Sequence, residues 1–357
     1  MSPVRRKSLW YFLLTQLSNA VELIIGIIAL VHKEIVIVQT SLIGSMLSNL
    51  LIVLGMCFFL GGINRVEQFF NVTVAQTAAS LLALSVGSLI IPTGFKWNDS
   101  INILETNIDE ELSRGTSVIL LVVYASYLAF QLKSHKDMYN APSQSGTKRR
   151  QSKKEEGDVF KALAGIGGNL AGSVGGEANQ QSHVQVPDDE PEEPSLSLIG
   201  SLVSLLIATA LIGVCAEFLV DSISEVTCTY HVSEVFVGLI LLPIVGNAAE
   251  HATAVTVAIK DKMDLAIGVA VGSTMQIALL VIPLMVILGW IIHSDMTLVF
   301  DSFQVVLLLV AVILVNYLIG DGKSHWLEGV LLMALYLIIA VAAWFYPLNT
   351  DTECSKK

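Results

Sequence analysis

Long stretches without a charged residue are the feature of this sequence that most restricts its fold. Of the 357 residues, 54% are hydrophobic and only 14% are charged, whereas a water-soluble domain carries about 25% charged residues. A helix needs about 20 apolar residues to cross a bilayer. Seven charge-free runs approach or exceed that length, at residues 35–64, 68–95, 115–132, 195–216, 265–292, 302–320 and 329–348.

Two further apolar segments, residues 8–30 and 235–259, contain ionisable side chains. With them, the sequence predicts an all-α, polytopic membrane protein of about nine transmembrane helices. Helices are expected because hydrocarbon offers the backbone no other hydrogen-bonding partner, and the runs lack the alternation of a membrane β-barrel. The basic N-terminus has no small-residue cleavage site, which indicates a span and not a removable signal.

A long polar loop separates the predicted spans into groups of four and five. The expected segments are a first repeat at 1–132, the loop at 133–194, a second repeat at 195–348 and a tail at 349–357. The loop is rich in Gly, Ser and Gln and in blocks of charge, which is typical of disordered chain. It ends in a group of carboxylates: Asp188, Asp189, Glu190, Glu192 and Glu193. This group suits either a solvated linker or a patch that attracts cations or regulates transport.

Basic residues are distributed unequally between the two predicted sides of the membrane. With nine spans, 15 of the 20 Lys and Arg residues lie on the side of the N-terminus and the long loop. The positive-inside rule therefore predicts a cytosolic N-terminus and loop, and a luminal C-terminus. The net charge of −11 gives no indication of a nucleic-acid partner.

Two polar motifs recur at a constant spacing. SNAVEL around Glu22 is matched 228 residues later by GNAAEH around Glu250. The Gly-Ser pair that ends at Ser45 is matched, at the same offset, by the pair that ends at Ser273. Because an odd number of spans separates the copies, they cross the membrane in opposite directions. The sequence thus predicts inverted-topology repeats, which in secondary transporters enclose a site near the middle of the membrane.

Both motifs place their polar residues on one helix face, since residues three or four positions apart are neighbours. Ionisable groups inside a membrane are costly and usually face a cavity. Two carboxylates with amide, hydroxyl and carbonyl oxygens suit a hard cation such as calcium, and Pro243 and Gly246 can open the helix so that carbonyls join them. Several other polar residues suit interhelical hydrogen bonding equally well: Ser45, Ser48, Asn49, Ser273 and Gln276.

The motifs GNAAEH, GSTMQIALLVIPL and AEFLVDSI, with residues 316–347, resemble the calcium/proton exchanger branch of the cation/calcium exchanger superfamily. The resemblance covers residues 16–65 and 195–347. Members of that branch use a proton gradient to load calcium, and sometimes manganese, into vacuoles. The resemblance therefore implies an antiporter of the vacuolar membrane, not an enzyme, with no cofactor besides the transported calcium ion. Calcium, protons and the lipid bilayer are the implied partners, and a homo-oligomer is left open.

The resemblance also implies roles for individual residues. The implied cation and proton site comprises Glu22, Glu250, Asn19, Asn247, His251, Gln276, Ser45 and Ser273. Within it, Glu22 and Glu250 are the expected metal ligands. Glu217 and Asp221, one helical turn apart, are expected to face the transport pathway.

The chain begins where the third span of the family begins, so the first repeat is expected to be incomplete. The inverted mate of the Glu217 helix is among the spans expected to be missing. A transport-incompetent shortened subunit and a truncated gene model are therefore alternatives to an active antiporter. A sodium-coupled calcium exchanger is a further alternative, although His251 and Gln276 favour proton coupling.

Overall fold

The structure is a computed structural model that describes residues 19–96, 108–135, 138, 198–230 and 232–347. All of them belong to one compact unit, Met1–Thr147 with Leu196–Lys357. For part of the helix Leu198–Tyr230, only the backbone is described. The predicted tail at 349–357 and the acidic residues of the loop, Asp188, Asp189, Glu190, Glu192 and Glu193, lie outside the described residues.

Ten helices account for most of the described chain. They are α1 (Ala20–Val31), α2 (Ile35–Gly62), α3 (Val72–Lys96), α4 (Ile108–Ser134), α5 (Leu198–Tyr230), α6 (Glu234–Gly246), α7 (Ala248–Ile259), α8 (Met263–Ile291), α9 (Ser302–Leu318) and α10 (Trp326–Trp344). Four of them, α2, α4, α6 and α8, contain a π-helical turn, at Ser48–Val53, Phe130–Ser134, Val237–Leu241 and Ile277–Val281.

Two very short strands depart from the all-α prediction. β1 (Gln68–Phe69) pairs antiparallel with β2 (Lys323–Ser324), with Gln68 opposite Ser324. Both strands lie in loops between helices, where the apolar pattern used for the prediction gives no signal. The pairing joins the loop after α2 to the loop before α10.

Helices of membrane-spanning length dominate the described part of the chain. Five helices, α2, α3, α4, α8 and α10, are long and apolar enough to cross a bilayer. The helices α6 and α7 are bent by 55° at their junction, and together they form a sixth candidate. The shorter apolar helices are α1 and α9. A polytopic helical fold is thus observed, while the count of nine spans stays a prediction.

Glycines allow α2 to pack closely against helices on two sides. A Cβ atom at Gly44 would lie 2.5 Å from the carbonyl oxygen of Leu239 in α6. A Cβ atom at Gly55 would lie 3.1 Å from the carbonyl oxygen of Gly329 in α10. Small residues of this kind let helix backbones approach within a membrane. Among the five helices of membrane-spanning length, α2 is the most enclosed.

The two helices that carry the repeated Asn/Glu motif have matching bounds. Both α1 and α7 have 12 residues, and they begin at Ala20 and Ala248. The asparagines that precede them have nearly the same backbone conformation, with φ −92° and ψ 21° at Asn19 and φ −89° and ψ 9° at Asn247. The two motifs, which share Asn, Ala and Glu at the same spacing, therefore have the same local structure.

Candidate cation site

Glu22 and Glu250 occupy equivalent positions, because each is the third residue of its helix. The first backbone N–H groups of a helix have no partner within it, and the aligned peptide dipoles favour negative charge there. Each glutamate is buried, with 7% of its surface exposed. The helix starts therefore supply favourable electrostatics to two carboxylates that have little access to water.

A serine accompanies each carboxylate. Glu22 and Glu250 are close enough for their charges to interact, and Ser45 lines the same small cavity as Glu22. The Oγ atom of Ser273 lies 3.0 Å from Oε1 and 3.2 Å from Oε2 of Glu250. The structure therefore places both serines of the repeated Gly-Ser pair next to the glutamate of their own half.

Hydrogen bonds join the two halves of the chain at this point. The Nδ2 atom of Asn19 donates to Oε1 of Gln276 at 2.9 Å and to the backbone oxygen of Ser273 at 3.4 Å. The hydroxyl of Ser273 lies 2.6 Å from Oδ1 of Asn19, and Nδ2 of Asn49 donates to it at 3.1 Å. A single cluster thus contains residues of α2 and α8 and the asparagine that precedes α1.

His251 lies at the edge of this cluster. Its Nε2 atom is 3.3 Å from Oγ of Ser48, and its backbone N–H donates to the carbonyl of Asn247 at 2.9 Å. The side chain is partly exposed. The imidazole is therefore placed where one ring nitrogen contacts the polar cluster and the ring keeps some access to its surroundings.

Several buried polar atoms of the cluster have no hydrogen-bond partner among the residues that the structure describes. They are Oε2 of Glu22, Oδ1 of Asn49, and both amide atoms of Asn247. Leaving such an atom unpaired costs about 1–3 kcal/mol. A cavity of about 10 Å³ adjoins Glu22 and is also lined by Ser41, Ser45 and Gly246. The unpaired oxygens and the cavity are the features expected of a place that a small ligand completes.

The chemistry of the cluster fits a calcium ion as substrate. Calcium takes six to eight oxygen ligands and accepts amide, hydroxyl and carbonyl oxygens beside carboxylates. Across the described segments, no group of three or more His, Cys, Asp or Glu residues is arranged to hold a metal. A cation bound here would therefore use the two carboxylates together with neutral oxygens of the surrounding Asn, Ser and Gln side chains.

The two expected pathway carboxylates lie outside the cluster. Both Glu217 and Asp221 are exposed on α5. Oδ1 of Asp221 is 3.9 Å from Nδ1 of His32, and both residues line a cavity of about 120 Å³. His32 follows Glu22 by ten residues, or about 15 Å along a helix. The structure thus places Asp221 near the far end of α1 and does not bring it to Glu22.

Ser48 and Asn49 are contacts of the cluster that the expected site did not include. Asn49 is fully buried and hydrogen-bonds Ser273, whereas Ser48 reaches His251. The signal in the sequence was their position in an apolar span, one turn after Ser45. That signal does not distinguish a contact of the site from ordinary hydrogen bonding between helices.

Comparison with known proteins identifies the family. The family described as sodium/calcium exchanger protein matches residues 11–133 and 200–345, which include both Asn/Glu motifs. The chain belongs to this family. Sodium/calcium exchanger family members similar to this chain include the vacuolar calcium ion transporter of Schizosaccharomyces pombe. The two are 44% identical over 329 residues, covering 92% of this chain and 70% of that protein.

Two further relatives extend the comparison. The vacuolar calcium ion transporter of Cryptococcus neoformans is 40% identical, and the match covers 94% of this chain and 63% of that protein. The chain thus spans less than two thirds of this second relative. The Ca2+/H+ antiporter protein YfkE, whose crystal structure is known, is 31% identical in sequence to this chain. The two structures match with a TM-score of 0.68, and the match covers 93% of this chain and 84% of the YfkE chain. The expected resemblance to the calcium/proton exchanger branch is confirmed.

Proposed function

We propose that this protein is a secondary active antiporter, not an enzyme, that exchanges calcium for protons across the vacuolar membrane. Manganese is a second candidate substrate. The observation that carries the proposal is the pairing of Glu22 and Glu250, buried at equivalent helix starts and surrounded by amide and hydroxyl oxygens. The names of the relatives, which are vacuolar calcium transporters and a Ca2+/H+ antiporter, support it.

Competition for the same oxygens would couple the two substrates. A carboxylate away from water holds a proton more readily, and a divalent cation nearby favours its ionised form. An acidic lumen would therefore protonate the pair and release calcium, whereas the neutral cytosol would remove the protons and admit calcium. A gradient of one pH unit supplies about 1.4 kcal/mol for each proton, so a few protons per cation support a steep accumulation. His251, within reach of Ser48, is placed to adjust or relay these protons.

We further propose nine transmembrane helices in inverted-topology repeats of four and five spans. Matching bounds of α1 and α7 support this arrangement. So do the π-helical turns of α2 and α8, which follow Ser45 and Ser273 at nearly the same distance. Two opposed copies would bring one carboxylate from each repeat to the middle of the membrane, where alternate access to both sides is controlled.

The proposed orientation has the N-terminus and the 133–194 loop in the cytosol and the C-terminus in the lumen. The unequal distribution of Lys and Arg supports it. Exposed aromatic side chains at helix ends suit the two membrane surfaces, where Trp and Tyr are enriched. They are Trp290 in α8, Tyr317 in α9, and Trp326 and Trp344 in α10.

Sodium-coupled exchange is the second candidate, because the family is described as sodium/calcium exchangers. Reconstitution of the purified chain into vesicles with an acidic interior tests the two together. Calcium entry that requires the pH gradient, and that stops when a proton ionophore collapses it, is the expected result. Calcium entry driven by an outward sodium gradient at equal pH would favour the alternative. Transport in neither condition would contradict the proposal.

A further inference from the structure

Two positions break the symmetry of the repeated site. At an offset of 228 residues, Asn49 corresponds to Ile277, and Ser48 corresponds to Gln276. An isoleucine cannot donate a hydrogen bond, and a serine is shorter than a glutamine. The two halves of the site are therefore supported differently, although their glutamates and helix starts match.

Asn49 provides a hydrogen bond that its counterpart cannot provide. Its Nδ2 atom donates to Oγ of Ser273 at 3.1 Å, from a position that is fully buried. A hydroxyl has one O–H donor and two acceptor lone pairs. With one lone pair engaged by Asn49, the single O–H is left to donate either to Oδ1 of Asn19 at 2.6 Å or to the carboxylate of Glu250 at 3.0 Å. Asn49 thus restricts the rotation of this hydroxyl.

Gln276 supports the same group of residues from another direction. It accepts a hydrogen bond from the amide of Asn19 at 2.9 Å. In the other half, Ser48 takes its place, and the equivalent amide, that of Asn247, has no hydrogen-bond partner within the described part of the chain. The Asn19, Ser273 and Glu250 group is therefore held in place before any cation arrives.

We infer that Asn49 is a positioning residue for calcium binding, acting through the hydroxyl of Ser273. This inference rests on the proposed function, because it takes calcium as the ligand of the cluster. A group that is already ordered loses less conformational freedom on binding, so preorganisation raises affinity. Asn49 has no need to touch the cation itself, since its hydrogen bond is made to Ser273.

A purely structural role for Asn49, as a hydrogen bond between α2 and α8, makes a different prediction. The Oδ1 atom of Asn49 has no hydrogen-bond partner among the described residues. Asn49→Leu therefore removes one hydrogen bond and also one unpaired buried oxygen, and the two effects on stability oppose each other. We expect the calcium-free stability to change little, whereas a structural role predicts lower stability with unchanged calcium affinity.

The test measures the thermal unfolding midpoint of the purified full chain in detergent at increasing calcium concentration. Because calcium stabilises only the folded protein that binds it, this titration gives an apparent Kd without a transport assay. Loss of one hydrogen bond predicts that Asn49→Leu raises the apparent Kd about three- to tenfold. The matched control is Ile277→Leu at the corresponding position, which is expected to leave the Kd unchanged. Asn49→Ala provides a second variant with the same expectation as Asn49→Leu.

A double-mutant cycle decides whether Asn49 acts through Ser273. In a Ser273→Ala background, Asn49→Leu is expected to raise the apparent Kd no further. An equal Kd for wild type and Asn49→Leu would overturn the inference, and so would the same increase in the Ser273→Ala background. With either of these two results, the proposed function would still stand as long as calcium stabilised the wild-type protein. Wild type that calcium does not stabilise at all would overturn the proposed function itself, and this inference with it.

Discussion

Replacing Gly44 by alanine is expected to disturb the packing of α2 against α6. The new Cβ atom would lie 2.5 Å from the carbonyl oxygen of Leu239 and 2.6 Å from Cγ of Pro243. Neither atom belongs to the end of a flexible side chain, so the two helices must separate. Overpacking of this kind costs about 1–3 kcal/mol. Because Gly44 adjoins Ser45, calcium uptake is expected to fall as well.

Gly272 is the matched control for Gly44. It precedes Ser273 as Gly44 precedes Ser45, and a Cβ atom there would meet no described atom within 4 Å. Both substitutions gain about 1 kcal/mol from the higher helix propensity of alanine, so the difference between the variants isolates the steric clash. Thermal unfolding in detergent should show Gly272→Ala at or above the wild-type midpoint and Gly44→Ala below Gly272→Ala. Equal midpoints for the two variants would refute the packing argument.

Three further predictions concern topology, the acidic segment and a buried ion pair. A tag in the 133–194 loop should be digested by protease added to sealed vacuoles; protection would reverse the proposed orientation. Deletion of residues 188–193 should alter calcium dependence but leave some transport, because solvated charges are only modestly coupled to the site; complete loss in a folded protein would place them in the mechanism. Arg65→Ala should lower the unfolding free energy by about 1–3 kcal/mol, since it removes the cation beside the largely buried Asp261, which keeps its hydrogen bond from Gln68. Lys323→Ala, which removes an exposed pair with Glu67, should cost less than about 1 kcal/mol, and equal losses would contradict the burial argument.

The equivalence of α1 and α7 follows from the sequence, whereas the contacts between the halves do not. The repeated Asn and Glu predicted two equivalent copies, and the structure gives them matching helix starts at Ala20 and Ala248. Symmetry alone also predicts equal contacts in the two halves. The structure instead pairs Asn19 with Gln276, while Ser48 contacts His251. These partners depend on side-chain length and helix packing, which a repeat offset does not contain.

Local irregularities were also beyond the sequence pattern. A π-helical turn, such as Ser48–Val53, adds a residue to one turn without changing the apolar composition of the span. The spacing of Glu217 and Asp221 predicted a shared helix face but not the neighbours of that face. The structure shows Asp221 facing His32, because α5 packs against α1. Helix periodicity predicts which residues share a helix face, but the neighbours of that face depend on tertiary packing.

Calcium uptake by glutamine variants tests the central claim most directly. Glutamine keeps the shape of glutamate but can neither carry the negative charge nor release a proton. In vesicles with an acidic interior, Glu22→Gln and Glu250→Gln are each expected to abolish pH-driven calcium uptake. Glu225→Gln, at an exposed position of α5, is the matched control and should retain it. Normal uptake by either the Glu22→Gln or the Glu250→Gln variant would contradict a site built on two carboxylates.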